Sequence, residues 1–303
     1  LITRDAGAFL GFARGCAPDF GPATAKAAFL VAPDGFARAD ESAGDNRYMA
    51  EAGGFDRERA LAQHRGLHAA LSAALPTLCF PGDAAAPDGL FPNNVFATVP
   101  GRLVVGRMRH PVRRREAGRA DIRGFFRDVL GYAEVDLSTQ PHPCELTGAL
   151  VVDRARGLGF CGLSERCDEA GARLMHEAFG LRATLLFDLA PGEYHTNVVL
   201  AVLAGRAVLA CPAGFADPAA VEAIAALYAP HVALLGAAEQ AAFAGNAIAA
   251  SPGTAWMSRT GAETLSAANR RVLAGAGFEL RPVPLDAIEA AGGSLRCCVA
   301  EIF

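Results

Sequence analysis

From Ala149 to Leu189 the apolar positions change period in a fixed order. "ALVVD" is a short apolar run, "RARG" interrupts it with charge and glycine, and "LGFCGLS" resumes it. "ERCDEAGARLMHEAFG" then spaces its apolar residues three and four apart, as a helix face requires, and "RATLLFDL" returns to a strand. The pattern predicts a β-β-α-β unit. The order repeats as "NVVLAVL", "AVLACP", "DPAAVEAIAALYAPH", "VALLGA", and again as "NAIAAS", "TAWMS", "GAETLSAANRRVLAGAG", "FELRPV". A fourth copy runs "NVFATV", "GRLVVGRM", a helix from about Arg113 to Leu130, and "AEVDL". A looser fifth occupies Ala27 to Phe80, with "AAFLVAP", the helix "DRERALAQHRGLHAALSAAL" and "TLCF".

Units of about 50 residues point to a propeller or stacked array, in which each unit buries its apolar face only against its neighbours. Five copies predict a closed ring. The terminal "LRCCVAEIF" has no helix of its own, so it is expected to add a strand to the first unit and join the chain's ends. Residues 1–26 precede the repeats and read as an N-terminal extension to a single domain spanning 27–303.

Short polar signatures stand just before the first strand of each unit: "FPNN" with Asn93, "ELTG" with Glu145, "EYHTN" with His195, "FAGN" with Asn246 and "GGSLRC" with Cys297. Successive members are 52, 50, 51 and 51 residues apart. Residues at one phase of a ring occupy equivalent places around its axis, so these five are expected to converge at one end of a central channel. Taken singly, each has an ordinary reading: a hydrogen-bonded structural histidine, a solvated glutamate, a buried strand thiol. Together they make a Cys, His and Glu site. A thiol becomes nucleophilic as thiolate, an imidazole can carry protons to and from the reacting groups, and a carboxylate can orient the imidazole or hold a substrate N–H.

Composition narrows the setting. The 303 residues are 52% hydrophobic and 20% charged with net charge −4, the profile of a soluble chain with a large core. No global charge attracts nucleic acid or an anionic membrane, and the basic run "RMRHPVRRRE" reads as a solvated helix start. No apolar stretch reaches the roughly 18 to 20 residues of a membrane span, and the first twenty residues make a poor secretory signal. The 8 cysteines form no C-x-x-C pair or zinc spacing, so neither a disulfide framework nor a metal is expected, and a reducing cytoplasm is the expected home. His64 and His68 lie on one helix face without a third ligand and read as a surface face; His110, His142, His176 and His231 read as isolated, and Trp256 as core.

A ring of β-β-α-β units with a Glu, a His and a Cys after glycines near the C-terminus resembles the pentein superfamily. These guanidino-group-modifying enzymes include arginine deiminase, dimethylarginine dimethylaminohydrolase and the amidinotransferases. The strings "FPNN", "ELTGALVVDR", "LSERC", "EYHTNVVLAV", "FAGNAI" and "GGSLRCCVAEIF" most resemble its amidinotransferase-like or citrulline-utilisation hydrolase branch. The resemblance implies a five-fold pseudosymmetric α/β propeller and a hydrolase of C–N bonds without cofactor. Cys297 would be the nucleophile, His195 the acid and base, and Glu145 the carboxylate on the substrate nitrogens. Arg166 would meet the substrate carboxylate, with Arg113 or Arg114 assisting, and Asn93, Asn94, Asn197 and Asn246 would line the site. Cys298 takes an apolar place of the pattern, and strand alternation would turn it away from Cys297.

Guanidinium-binding members carry acids where this chain has "FPNN" and "HTN". Amides offer both donor and acceptor and suit a neutral ureido group, so a citrulline-like amino acid is the expected substrate. A deiminase-type hydrolase or amidinotransferase is the alternative, and a silent propeller serving as a binding module is the second. The partners expected are a small amino-acid substrate and a second copy in a homodimer.

Overall fold

The computed structural model describes residues 1–303 apart from the side chain of Ala52. Five small sheets carry the chain. The strands are β1 (Ile2–Thr3), β2 (Ala27–Val31), β3 (Thr77–Phe80), β4 (Phe96–Val99), β5 (Arg102–Val105), β6 (Ala133–Asp136), β7 (Leu150–Asp153), β8 (Leu158–Leu163), β9 (Ala183–Asp188), β10 (Leu200–Leu203), β11 (Ala207–Ala210), β12 (Val232–Leu234), β13 (Ile248–Ser251), β14 (Thr254–Ser258), β15 (Glu279–Val283) and β16 (Ala300–Ile302). In each of four units the first strand pairs antiparallel with the second, and the second pairs parallel with the third through the intervening helix.

The first sheet is completed by the other end of the chain. β16 lies antiparallel to β2, with Ala300 opposite Phe29 and Ile302 opposite Ala27, and β2 runs parallel to β3. β16 also packs against β4, β7 against β10, and β10 against β13. The N-terminal segment is seated on this frame: β1 runs parallel to β9, and the helix Ala6–Ala13 buries Phe9 edge-on to Phe160 at 5.6 Å between ring centroids.

The helices begin where polar side chains can take orphan backbone donors. Asp168 accepts from Gly171 N at 2.7 Å to start Glu169–Phe179, and left-handed Gly180 ends it. Asp56, Asp217 and Ser266 cap Arg57–Ser72, Pro218–Tyr228 and Ala267–Gly275 in the same way. Among the described residues, no helix is long and apolar enough to cross a membrane.

Three local expectations change. The helix expected from Arg113 to Leu130 is broken into Pro111–Arg114, a 3-10 turn Arg115–Gly118, Ala120–Gly124 and a π turn Phe125–Val129. The break falls after Gly118, where Arg119 takes an extended ψ of 94°. The strands expected at "NVVLAVL" and "LRCCVAEIF" start later than their apolar runs. Thr196–Val199 and Leu295–Cys298 are single helical turns, in the second of which Cys297 N and Cys298 N both donate to the Ser294 carbonyl, at 3.0 and 3.3 Å. Strand alternation therefore does not separate the two cysteines. Finally, His64 is not on a surface face: it is 2% exposed on the inner side of its helix.

Candidate active site

Short turns precede the first strands: Pro92–Asn94 before β4, Leu146–Ala149 before β7, Thr196–Val199 before β10 and Leu295–Cys298 before β16. The turn at 92–94 packs on those at 146–149 and 295–298, and the turn at 146–149 packs on that at 196–199. This brings the polar residues that share one phase of the repeat into neighbouring positions. All five are buried, with Asn93, Glu145, His195 and Asn246 at 0% and Cys297 at 1% exposure.

Cys297 sits under two amides. Asn246 Nδ2 donates to its Sγ at 3.4 Å and Asn197 Nδ2 at 3.6 Å. Burial pushes the thiol pKa up, against the lowering pull of the Ser294 backbone contact and the Asn246 amide. Two glycines admit the turn that carries it. Gly292 has φ +75°, and a side chain there would collide with Asn46.

His195 Nε2 and Glu145 Oε2 are 2.8 Å apart, and neither side chain is exposed. Glu145 Oε1 accepts from Arg109 N at 2.9 Å, and Arg166 Nη1 lies 3.4 Å from Oε2. Burial alone would raise the Glu145 pKa, but Arg166, the His195 hydrogen bond and Arg113 hold it well below the usual carboxylate range. Burial lowers the His195 pKa, and the Glu145 carboxylate opposes that shift. The resting site is therefore a neutral thiol and a neutral imidazole beside an anionic carboxylate. His195 Nδ1 has no partner, which leaves one ring nitrogen for a reacting group.

A narrow cavity reaches Cys297 between Ser42, Asn46, Asp88, Asn94, Arg113, Arg166, Tyr194 and Gly293. Of the residues singled out from the sequence, it brings together Cys297, Asn94, Arg113 and Arg166. Asn93 sits behind the wall, bonded to Thr147, and exposed Arg114 donates to the Met108 and Arg109 carbonyls instead. The two cavity arginines are already paired. Arg113 grips Glu116 through Nε at 2.9 Å and Nη2 at 2.8 Å, while Arg166 grips Asp45 with Nε at 2.8 Å and with Nη2.

Sequence reasoning missed Ser42, Asp45, Asn46 and Asp88. The first three lie on the segment 40–49, outside any repeat phase, and are brought over the site by long-range contacts such as Asn46 Nδ2 to the Gly292 carbonyl at 3.3 Å. Asp88 stands three residues before "FPNN" in "PDGLFPNN", and nothing in the strand pattern marks it. Among the described residues, no three His, Cys, Asp or Glu side chains converge as a metal site.

Comparison with known proteins agrees with this frame. Residues 32–303 match the family described as N,N dimethylarginine dimethylhydrolase, eukaryotic. The N(G),N(G)-dimethylarginine dimethylaminohydrolase of Mycobacterium tuberculosis (strain ATCC 25618 / H37Rv) is 31% identical over 199 residues, covering 66% of this chain and 61% of that protein. The chain thus matches less than two thirds of that relative's length. The substrate-bound N-terminal domain of ArgZ, an arginine dihydrolase from the ornithine-ammonia cycle in cyanobacteria, superposes with TM-score 0.79 at 21% identity, covering 91% of this chain and 97% of that one. A dimethylarginine dimethylaminohydrolase carrying an S-methyl-L-thiocitrulline adduct gives TM-score 0.69 at 18% identity, covering 92% and 100%. The structures share the fold, and the sequence match settles the kinship: the chain belongs to the N,N dimethylarginine dimethylhydrolase family, within the pentein superfamily of guanidino-modifying enzymes.

Proposed function

We propose that the chain is a hydrolase that cleaves C–N bonds of guanidino or ureido amino acids through a covalent intermediate on Cys297. The observation that carries this reading is the placement of the Cys297 thiol, under the Asn246 and Asn197 amides, at a cavity walled by Arg113, Arg166 and Asn94. A buried neutral thiol needs a base at the moment of attack, and His195, supported by Glu145, has a free ring nitrogen for that proton.

With a ureido amino acid, Sγ would bond to the ureido carbon while the thiol proton passes through His195 to the leaving amine. The alkyl C–N bond breaks, releasing the amino acid's amine and leaving a carbamoyl thioester. Water, deprotonated by the same imidazole, then cleaves the thioester to carbamate, which yields ammonia and carbon dioxide. Asn246 and Asn197 would donate to sulfur as it carries charge, and Glu145 would accept substrate N–H groups and stabilise the imidazolium. Asn94, Asn197 and Asn246 are assigned to binding, with Arg166 and Arg113 on the substrate carboxylate, while Asn93 supports the wall through Thr147. In this reading the five sheets are blades of an α/β propeller, residues 27–303 are the catalytic unit, and residues 1–26 are an extension docked on it.

The amides at 94 and 197, where guanidinium-binding members carry acids, favour a citrulline-like substrate. A guanidino substrate is the second reading, favoured by the activities of the relatives and by the carboxylates of Glu145 and Asp88 near the cavity. The test is incubation of the purified chain with L-citrulline, L-arginine and dimethylarginine, following ammonia and amine release and the mass of the C-terminal peptide. Turnover and an adduct on Cys297, both lost in Cys297→Ala, are expected. No turnover of any of the three would leave a binding module as the better reading.

A further inference from the structure

A second cavity lies among the first strands of three units. Val151 of β7, Leu200 of β10 and Ala249 of β13 wall it, and it shares no lining residue with the cavity at Cys297. Three charged side chains line it: Arg154, Arg296 and Glu301. Glu301 is already paired, its Oε2 2.9 Å from Arg296 Nη2, and Arg296 Nη1 donates to the Val299 carbonyl at 2.8 Å. The positive charge left over sits on Arg154.

Arg154 is half-buried, its Cζ 4.2 Å from the ring centre of Phe303 and 5.2 Å from that of Phe179. Aromatic rings hold the face of a guanidinium and leave its edge to find hydrogen-bond acceptors. Among the described residues that edge has one, the Thr98 carbonyl 3.0 Å from Nη1, and no carboxylate is paired with it. Burial pushes the Arg154 pKa down to about 10, with Glu301 resisting the shift and Arg296 adding to it. The group stays charged at neutral pH. A charge held away from water is costly until a counter-ion joins it. The cavity volume of about 40 Å³ holds roughly three waters, which rules out amino acids, phosphate esters and nucleotides.

This cavity borders the Cys297 turn. Asn197 lines it and donates from Nδ2 to Cys297 Sγ at 3.6 Å. Arg296 lines it too, immediately precedes Cys297, and favours the thiolate by its charge. An anion between the two arginines would offset that charge.

We infer that Arg154 and Arg296 form a binding site for one small monovalent anion, a halide or an oxyanion of formate size, whose presence slows reaction of the Cys297 thiol. The site stands whether or not the chain is a hydrolase, because neither its residues nor its readout requires turnover.

The experiment follows alkylation of Cys297 by iodoacetamide, a neutral reagent, at pH 8 while sodium chloride replaces sodium gluconate at constant ionic strength. Gluconate is too large for the cavity. The rate is expected to fall about 3- to 10-fold, the effect of one charge acting across a protein interior, and to level off at millimolar chloride. Exposed Cys79 in the same sample should not respond. Arg154→Gln should abolish the response, and Glu301→Gln, which frees Arg296, should lower the half-effective chloride concentration several-fold. A bromide-soaked crystal should show an anomalous peak between Arg154 and Arg296. No chloride effect at Cys297, an equal effect at Cys79, or an effect that survives Arg154→Gln and so belongs to Arg113 and Arg166 overturns the proposal. A bromide peak without a solution effect is an adventitious ion only and overturns it as well. Should Arg154→Gln not fold, Glu301→Gln decides: tighter chloride binding, which damage to the fold would not produce, supports the site, and unchanged or weaker binding overturns it.

Discussion

Asn246 and Cys297, 51 positions apart, are joined by the Asn246 amide, whose Nδ2 donates to Sγ at 3.4 Å and to the Asn197 carbonyl at 2.9 Å. Its Oδ1 accepts from Arg296 N at 2.9 Å, so one side chain ties the Cys297 turn to the turn before β10. Because burial raises the thiol pKa and this amide opposes it, Asn246→Ala should make Cys297 a weaker acid. Alkylation of Cys297 by iodoacetamide, followed on its C-terminal peptide, is expected to be slow at pH 7, to keep rising past pH 9, and to fall about tenfold at pH 8 in the variant. Equal alkylation rates in the two proteins would remove the amide from the proposed activation of Cys297.

Glu145 is the only carboxylate bonded to His195 among the described residues, and it raises an imidazole pKa that burial lowers. Glu145→Gln keeps the shape and removes the charge, so the His195 pKa should fall further. Proton transfer typically contributes about 10²- to 10⁴-fold, and kcat/KM for the best substrate is expected to drop within that range. An NMR titration of the His195 ring separates this from a packing defect: the pKa moves down if the carboxylate acts through charge and stays put if it does not.

Much of this site was legible as spacing. Asn93, Glu145, His195, Asn246 and Cys297 share one phase of the repeat, and equivalent turns place them side by side because each unit packs like its neighbour. β16 was legible too, as a strand with no helix to follow it. Cys297 itself was placed on a strand because "LRCCV" is apolar enough for one, whereas hydrogen bonds to Ser294 wind it into a turn. Asp45 and Asp88 were invisible for a different reason. They lie in irregular segments where no periodicity operates, and only contacts across the fold, Asp45 to Arg166 and Ser42 to Asp88, bring them to the site. Arg166 and Arg113 were legible as arginines of the site, and their pairing with Asp45 and Glu116 was not.

Gly148 allows two parts of the site to meet. A β-carbon there would stand 2.5 Å from Asn94 Oδ1 and 2.7 Å from His195 Cε1, closer than real contacts allow. Gly148→Ala should therefore push the imidazole off its line with Glu145. A rate loss of about 10²-fold is expected from a displacement on the order of 1 Å. The crystal structure of the variant should show the His195 ring shifted and the Glu145 contact lengthened. An unmoved ring with full activity would mean that Asn94 alone yields.

His64 links the fold's stability to pH. Its ring is 2% exposed on Arg57–Ser72, and Nε2 has no partner. Burial, then repulsion from His68, lowers its pKa from 6.5 to about 4. The folded value lies below the unfolded one, so between these values the unfolded chain binds the extra proton. The contribution is complete above about pH 6.5 and is lost as pH falls toward about 4. Each tenfold change in proton affinity is worth about 1.4 kcal/mol, so the full contribution is about 3 kcal/mol, of which about 2 kcal/mol is gone by pH 5. Urea unfolding at pH 7.5 and pH 5 should show this loss, and His64→Leu should remove that share of it. The change between the two pH values is read, because the substitution alters packing equally at both. Other buried imidazoles, His195 among them, titrate in the same direction and persist in the variant. An identical loss in the two proteins would mean that His64 is not among the groups that carry it.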